Sequence, residues 1–134
     1  MPSDSPATAV LALLLVAAGA ALGGMTRHAF GEISGRVACS ALPGTFFANV
    51  LACGVAGLAW SLWGNGGPAW AFAGAGFAGA LSTWSTLARE IVELARTRSW
   101  WAVGYPVLTA LTGGIGGFVT SELNLSFYRR SMPE

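Results

Sequence analysis

Four hydroxyl side chains, Ser82, Thr83, Ser85 and Thr86, surround Trp84 in a stretch whose neighbours are almost all apolar. Gly74, Gly76 and Gly79 lead into it, and Arg89, Glu90 and Glu93 follow. Each glycine weakens a helix by roughly 1 kcal/mol relative to alanine. Hydroxyls can satisfy backbone groups freed by a break, and the carbonyls exposed there can hold a cation. An unbroken helix whose Ser and Thr bond back to the preceding turn fits the sequence equally well. Trp84 offers an electropositive ring edge and an indole N–H to an anion, or it packs as plain core. On a continuous helix Trp84 and Leu87 share one face, Thr83, Thr86 and Glu90 a second, and Ser82, Ser85 and Arg89 a third.

Other polar residues repeat at helical spacing. Thr45 and Asn49 are four apart, and Tyr105, Thr109 and Thr112 form a second stripe. Arg27 stands at the end of an apolar run, where it either snorkels to the headgroups or serves a site; His28 beside it reads as an interfacial residue. The polar content of the apolar runs is almost wholly hydrogen-bond donors, with no carboxylate in mid-run. A cation or proton path normally places Asp or Glu inside, whereas hydroxyl and amide donors suit a small anion shedding its hydration shell. Cys39 and Cys53 have no metal-ligand or redox spacing and read as packing residues. No nucleophile–His pairing, general-base pair or metal cluster is present, so no enzyme activity is expected.

The elements that carry these residues follow from composition. Of 134 residues, 54% are hydrophobic and 10% charged, where a soluble domain carries about 25% charged. Residues 5–26, 37–88 and 99–121 contain no Asp, Glu, Lys or Arg. A bilayer core needs about 20 apolar helical residues. The first and third runs supply one span each, and the turn-forming Gly64–Pro68 divides the second. The sequence therefore predicts a single all-α membrane domain of four transmembrane helices, at about 7–29, 43–63, 69–95 and 101–122. No Arg or Lys precedes the first run, which favours a retained span over a cleaved signal peptide. The net charge of +1, from arginines in no basic stripe, argues against a nucleic-acid partner. Five arginines (27, 36, 89, 96 and 98) fall on one side of this topology and Arg129 and Arg130 on the other. Setting aside Arg27 and Arg89 at helix ends leaves three against two, a bias weak enough for insertion in both orientations. Gly19-x-x-x-Gly23 and Gly113-x-x-x-Gly117 mark close helix contacts. Four short helices make a thin bundle, so a conduction path would form more naturally with a second subunit.

Three motifs in order resemble those of the CrcB/Fluc family of fluoride channels, and the resemblance covers essentially the whole chain. They are Gly23, Gly24 and Arg27; Gly44, Thr45 and Asn49; and residues 76–87 followed by Glu90. The resemblance implies an antiparallel dimer of four-helix subunits in the plasma membrane, with the third helix broken mid-membrane and two fluoride pores along the subunit interface. Fluoride would leave the cytoplasm passively, lowering its intracellular level. By the same resemblance a structural sodium ion (Na+) is held by backbone carbonyls at Gly79 and Ser82. Asn49, Trp84, Leu87, Ser85 and Thr86 would line the fluoride path, with Tyr105, Thr109 and Thr112 as a polar track. Arg27 would stand in the vestibule, Thr45 on the polar face of helix 2 and Glu90 at the end of helix 3.

This chain departs from the pattern where the family places two phenylalanines, at Trp84 and Leu87. Trp keeps an electropositive edge and adds a donor; Leu has neither. That opens a choice between a homodimer with an altered aromatic box and a heterodimer with a paralogue in which one pore is degenerate. A small four-helix multidrug transporter is a further alternative, but it should carry an acidic residue within helix 1, and none lies between Asp4 and Glu32.

Overall fold

The computed structural model describes residues 5–38, 40, 42–64, 66–97 and 100–131, and among these all regular structure is helical. In chain order the elements are α1 (Pro6–Ala38), α2 (Leu42–Trp63), α3 (Pro68–Trp70), a π-helical segment π1 (Ala71–Ala78), α4 (Gly79–Leu81), α5 (Trp84–Arg96) and α6 (Trp101–Ser131). Cys39, Asn65 and Arg98, which the sequence reading used, lie outside the described residues.

Among the described residues three helices are long and apolar enough to cross a bilayer: α1, α2 and α6 over Trp101–Leu123. The third expected helix, at 69–95 and expected to be broken, runs as α3, π1, α4 and α5, and its polar half, α5, has only 13 residues. The two outer helices overrun their expected ends at 29 and 122. Loss of hydropathy marks where lipid ends, while backbone hydrogen bonding continues. Glu32 and Arg36, four apart and 3.2 Å from each other, support that continuation of α1. The end of α1 then fixes the start of α2. Ser34 Oγ donates to the Ser40 carbonyl (2.7 Å) and accepts from Gly44 N–H (3.1 Å), satisfying one of the first-turn donors that α2 cannot pair itself. Between α2 and α3 the chain turns through Gly64 (φ 68°) and Gly67 (φ 92°), a conformation glycine adopts without steric cost.

Packing is inverted relative to a water-soluble domain. Small residues fill the centre: Ala48, Ala52, Ala78 and Leu81 are buried together, flanked by Phe30, Val55 and Phe77. Large apolar side chains such as Leu13, Leu14, Met25, Ile115 and Phe118 face outward. In lipid, where apolar burial gives helices no reason to associate, close van der Waals approach of small residues is what holds them. Gly19 and Gly23 of α1 lie directly on the backbone of π1, and a Cβ on either would strike a carbonyl, of Phe72 or Phe77 respectively. From the other side, a Cβ on Gly76 would stand 2.6 Å from the Val16 carbonyl. Gly113 and Gly117 of α6 seat over Cys53 of α2 in the same way, with Cβ positions 3.0 Å from its sulfur and its carbonyl oxygen.

Because backbone cannot move aside as a flexible side chain can, Gly19→Leu is expected to destabilise the protein by about 2 kcal/mol or more. The result would be read as a lowered thermal midpoint in detergent, with the exposed Gly35→Leu as control.

Candidate functional site

Between α4 and α5 the backbone leaves helical geometry. Ser82 (φ −72°, ψ 150°) and Thr83 (φ −151°, ψ 124°) are extended. In an uninterrupted helix the Thr83 N–H would bond to the Gly79 carbonyl. It donates instead to Asn49 Oδ1 on α2, at 2.8 Å. Thr83 also caps α5: its Oγ1 accepts from Thr86 N–H (3.3 Å), donates to Thr86 Oγ1 (3.3 Å) and lies 3.2 Å from Ser85 Oγ.

The bond to Thr83 fixes which way the Asn49 amide points. The oxygen faces the backbone donor, so the NH2 group faces elsewhere. Asn49 is buried, yet no buried side-chain nitrogen among the described residues lacks a partner. That NH2 makes no protein bond among the described residues, and Asn49 lines a cavity. The cavity is about 400 Å³, and Thr83, Trp84, Leu87, Cys53 and Thr109 also face it.

A second constellation joins three helices. Glu90 of α5, only 7% exposed, accepts from Thr45 Oγ1 of α2 at Oε1 (2.6 Å) and from the Tyr105 hydroxyl of α6 at Oε2 (3.0 Å). The Tyr105 hydroxyl also lies 2.9 Å from the Leu42 carbonyl, so one proton has two acceptors in reach. Thr45 and Tyr105 are buried as well.

The third feature is a polar cavity of about 310 Å³ where Arg27 and His28 of α1 meet Thr86 and Arg89 of α5 and Thr45 of α2. It stands one helical turn from the inner cavity. Thr45 faces the outer cavity and Asn49, four residues on, the inner; Thr86 faces the outer and its bonded neighbour Thr83 the inner. Hydroxyls and amides thus run from one to the other.

The structure groups the expected residues unevenly. Asn49, Trp84, Leu87, Ser82 and Thr109 converge on the inner cavity; Arg27, Thr45 and Thr86 on the outer; Thr45, Glu90 and Tyr105 on each other. The stripe of Tyr105, Thr109 and Thr112 on α6 does not act as one unit. Tyr105 bonds to Glu90, Thr109 faces the cavity while donating to the Tyr105 carbonyl (2.9 Å), and Thr112 donates to the Leu108 carbonyl (2.7 Å). Ser85 is exposed beside Thr83 and faces neither cavity. Trp84 is 82% exposed whereas Leu87 is 5% exposed, although both touch the same cavity. The face assignment for Ser82 and Thr83 fails because α5 starts at Trp84. Thr83 is the residue that the expected set lacked. Its signal was its place three before Thr86, the spacing of an N-cap and the donor it accepts from. Pro106, within α6, also lines the inner cavity and removes one helical bond there.

Known proteins resemble this chain over most of its length. The sequence profile described as CrcB-like protein, Camphor Resistance (CrcB), matches residues 14–121. A protein of Corynebacterium diphtheriae named fluoride-specific ion channel FluC 2 is 45% identical over 96 residues, 70% of this chain and 83% of that protein. Proteins named fluoride-specific ion channel FluC from Mannheimia succiniciproducens and Desulfotalea psychrophila are 31% and 30% identical, over 84% and 87% of this chain and 95% and 97% of their own lengths. With its three membrane-length helices and a profile match spanning nearly all of them, the chain belongs to the CrcB family.

Proposed function

We propose that this chain is a subunit of a fluoride-selective channel that lets fluoride leave the cytoplasm down its electrochemical gradient and so lowers its intracellular level. The chain is a multi-pass plasma-membrane protein. The observation that carries the reading is the Asn49 amide. Its oxygen is committed to Thr83 N–H, which leaves two N–H donors free on a residue that lines a cavity together with Thr109 and Trp84. Donors without a nearby carboxylate favour an anion over a cation. The N-terminal end of α5 adds partial positive charge beside this cavity, which Trp84, its first residue, lines.

The arm α3–π1–α4 and α5 together make the fourth crossing, interrupted mid-membrane at Ser82 and Thr83. What that leaves uncovered supports a dimer, which we read as antiparallel. Lipid cannot satisfy an open backbone group, and Gly79, Trp84 and Ser85 are all exposed in one chain. A second copy, or a paralogue, covers them. Sodium fits the interruption. The Gly79 carbonyl has lost its helical donor and keeps only the Ser82 hydroxyl at 3.3 Å. Carbonyl oxygens at Gly79 and Ser82, at the negative end of a helical arm, are suitable ligands for a hard cation. When bound, the ion would tie two such arms together.

The deciding experiment is fluoride efflux from liposomes containing this chain alone, with chloride efflux as control. Fast fluoride efflux without chloride efflux is the expected result. No efflux from folded dimers, alone or with a paralogue, would overturn the reading. Efflux only with a paralogue would assign the chain to a heterodimer, in keeping with Leu87 supplying no ring edge to the inner cavity.

A further inference from the structure

We propose that the outer cavity is a proton-tuned loading site for small anions, in which His28 sets how strongly fluoride is drawn to the path; this deepens the channel reading and rests on it. Arg27 and His28 arrive from α1 and Arg89 from α5, so cationic groups of two helices converge on one polar cavity of about 310 Å³. Neither His28 nor Arg89 belongs to the motifs that mark the family in the sequence.

The charges around His28 can be followed element by element. On α1, Arg27 has no ion pair among the described residues, and Glu32, the one carboxylate lining the cavity, is paired with Arg36 at 3.2 Å. On α5, Arg89 likewise has no ion pair among the described residues, and Glu90 is buried behind Thr45, accepting its hydroxyl. From α2 the cavity receives only Thr45, with no charge. Glu93, one turn from Arg89 on α5, faces the neighbouring cavity; Arg27 and Arg89 thus outnumber Glu32 on this one and favour a positive potential there, and Thr86 adds a hydroxyl to its lining.

Histidine is the side chain that changes charge between about pH 5 and 8. Protonated, His28 adds a third positive charge to the cavity and raises the local concentration of anions at the entrance. All three side chains are exposed, so solvent and salt screen the effect and keep it modest. The sequence alone made His28 an interfacial residue; its place on a cavity wall shared with Arg27 and Arg89 gives it a second role.

The test measures fluoride efflux from proteoliposomes of zwitterionic lipid, where no anionic headgroup competes for the mouth. Fluoride is kept well below saturation, salt is low, and pH is stepped equally on both sides from about 8 to about 5.5. Protein-free vesicles subtract the leak of the undissociated acid. The wild-type rate is expected to rise roughly two- to threefold on acidification, as one added charge near the entrance would produce. His28→Gln should give a flat profile, and His28→Arg a flat profile at a higher level. About 1 M inert salt should bring the three proteins together. Fluoride efflux with no acid rise in the wild type, or an equal rise in His28→Gln, overturns this proposal and leaves the channel reading standing. Absence of fluoride efflux at every pH, alone or with a paralogue, overturns both.

Discussion

Asn49→Asp is expected to reduce fluoride flux about a hundredfold or more while leaving the fold in place. Aspartate has the shape of asparagine and keeps an oxygen for Thr83 N–H, the 2.8 Å bond that holds the start of α5 to α2. What it removes is the NH2 group on the inner cavity, and it puts a negative charge in its place. An anion within a few ångströms of that charge meets several kcal/mol of repulsion even at a generous effective dielectric. Asn49→Ala should separate the two roles. It deletes the acceptor as well, leaving a buried backbone N–H without a partner at a cost of about 1–3 kcal/mol. Flux and thermal midpoint measured on both variants decide the matter. A normal midpoint with lost flux in the aspartate variant, against a lowered midpoint in the alanine variant, is the expected pattern. Unimpaired flux through Asn49→Asp would remove Asn49 from the path.

Glu90 should show the largest effect on stability. Its carboxylate takes two hydroxyl bonds, from Thr45 at 2.6 Å and Tyr105 at 3.0 Å, in a place that water hardly reaches. Glu90→Ala takes the acceptor from the Thr45 hydroxyl, leaves Tyr105 only the Leu42 carbonyl and opens a void between three helices, and the loss should be about 3 kcal/mol. Glu90→Gln should cost about 1 kcal/mol, because the proton count still works. The amide oxygen accepts from Thr45. The amide NH2 donates to the Tyr105 oxygen, whose own proton turns fully to the Leu42 carbonyl at 2.9 Å. Thermal unfolding in detergent compares the two. Equal destabilisation would show that the negative charge, rather than the hydrogen-bond count, holds the three helices together.

The long helices were legible because lipid imposes a length on apolar sequence: α1, α2 and α6 coincide with charge-free runs. Their ends were not, because the same rule is silent once the chain leaves lipid and Glu32 meets Arg36. π1 could not be read at all. No residue preference separates it from an α-helix, and the backbone it packs against, at Gly19 and Gly23, lies far away in sequence. The polar residues were individually legible as donors that needed partners. Who those partners were depended on an interruption that a helical wheel cannot contain. Once Thr83 turns its N–H to Asn49, the periodicity that sorted Ser82 and Thr83 onto faces no longer applies. Glu90 and Tyr105 sit on different helices, so their bond follows only from how α5 lies against α6.

The bonds to Glu90 also carry information about the order in which the protein is assembled. During synthesis the chain reaches Thr45 first, then Glu90 and last Tyr105. Until α6 has been made and has entered the membrane, Glu90 can have at most one of its two hydroxyl donors. α5, which carries Arg89, Glu90, Glu93 and Arg96 within 13 residues, has little affinity of its own for hydrocarbon. α5 therefore gains its full set of partners only once α6 is in place.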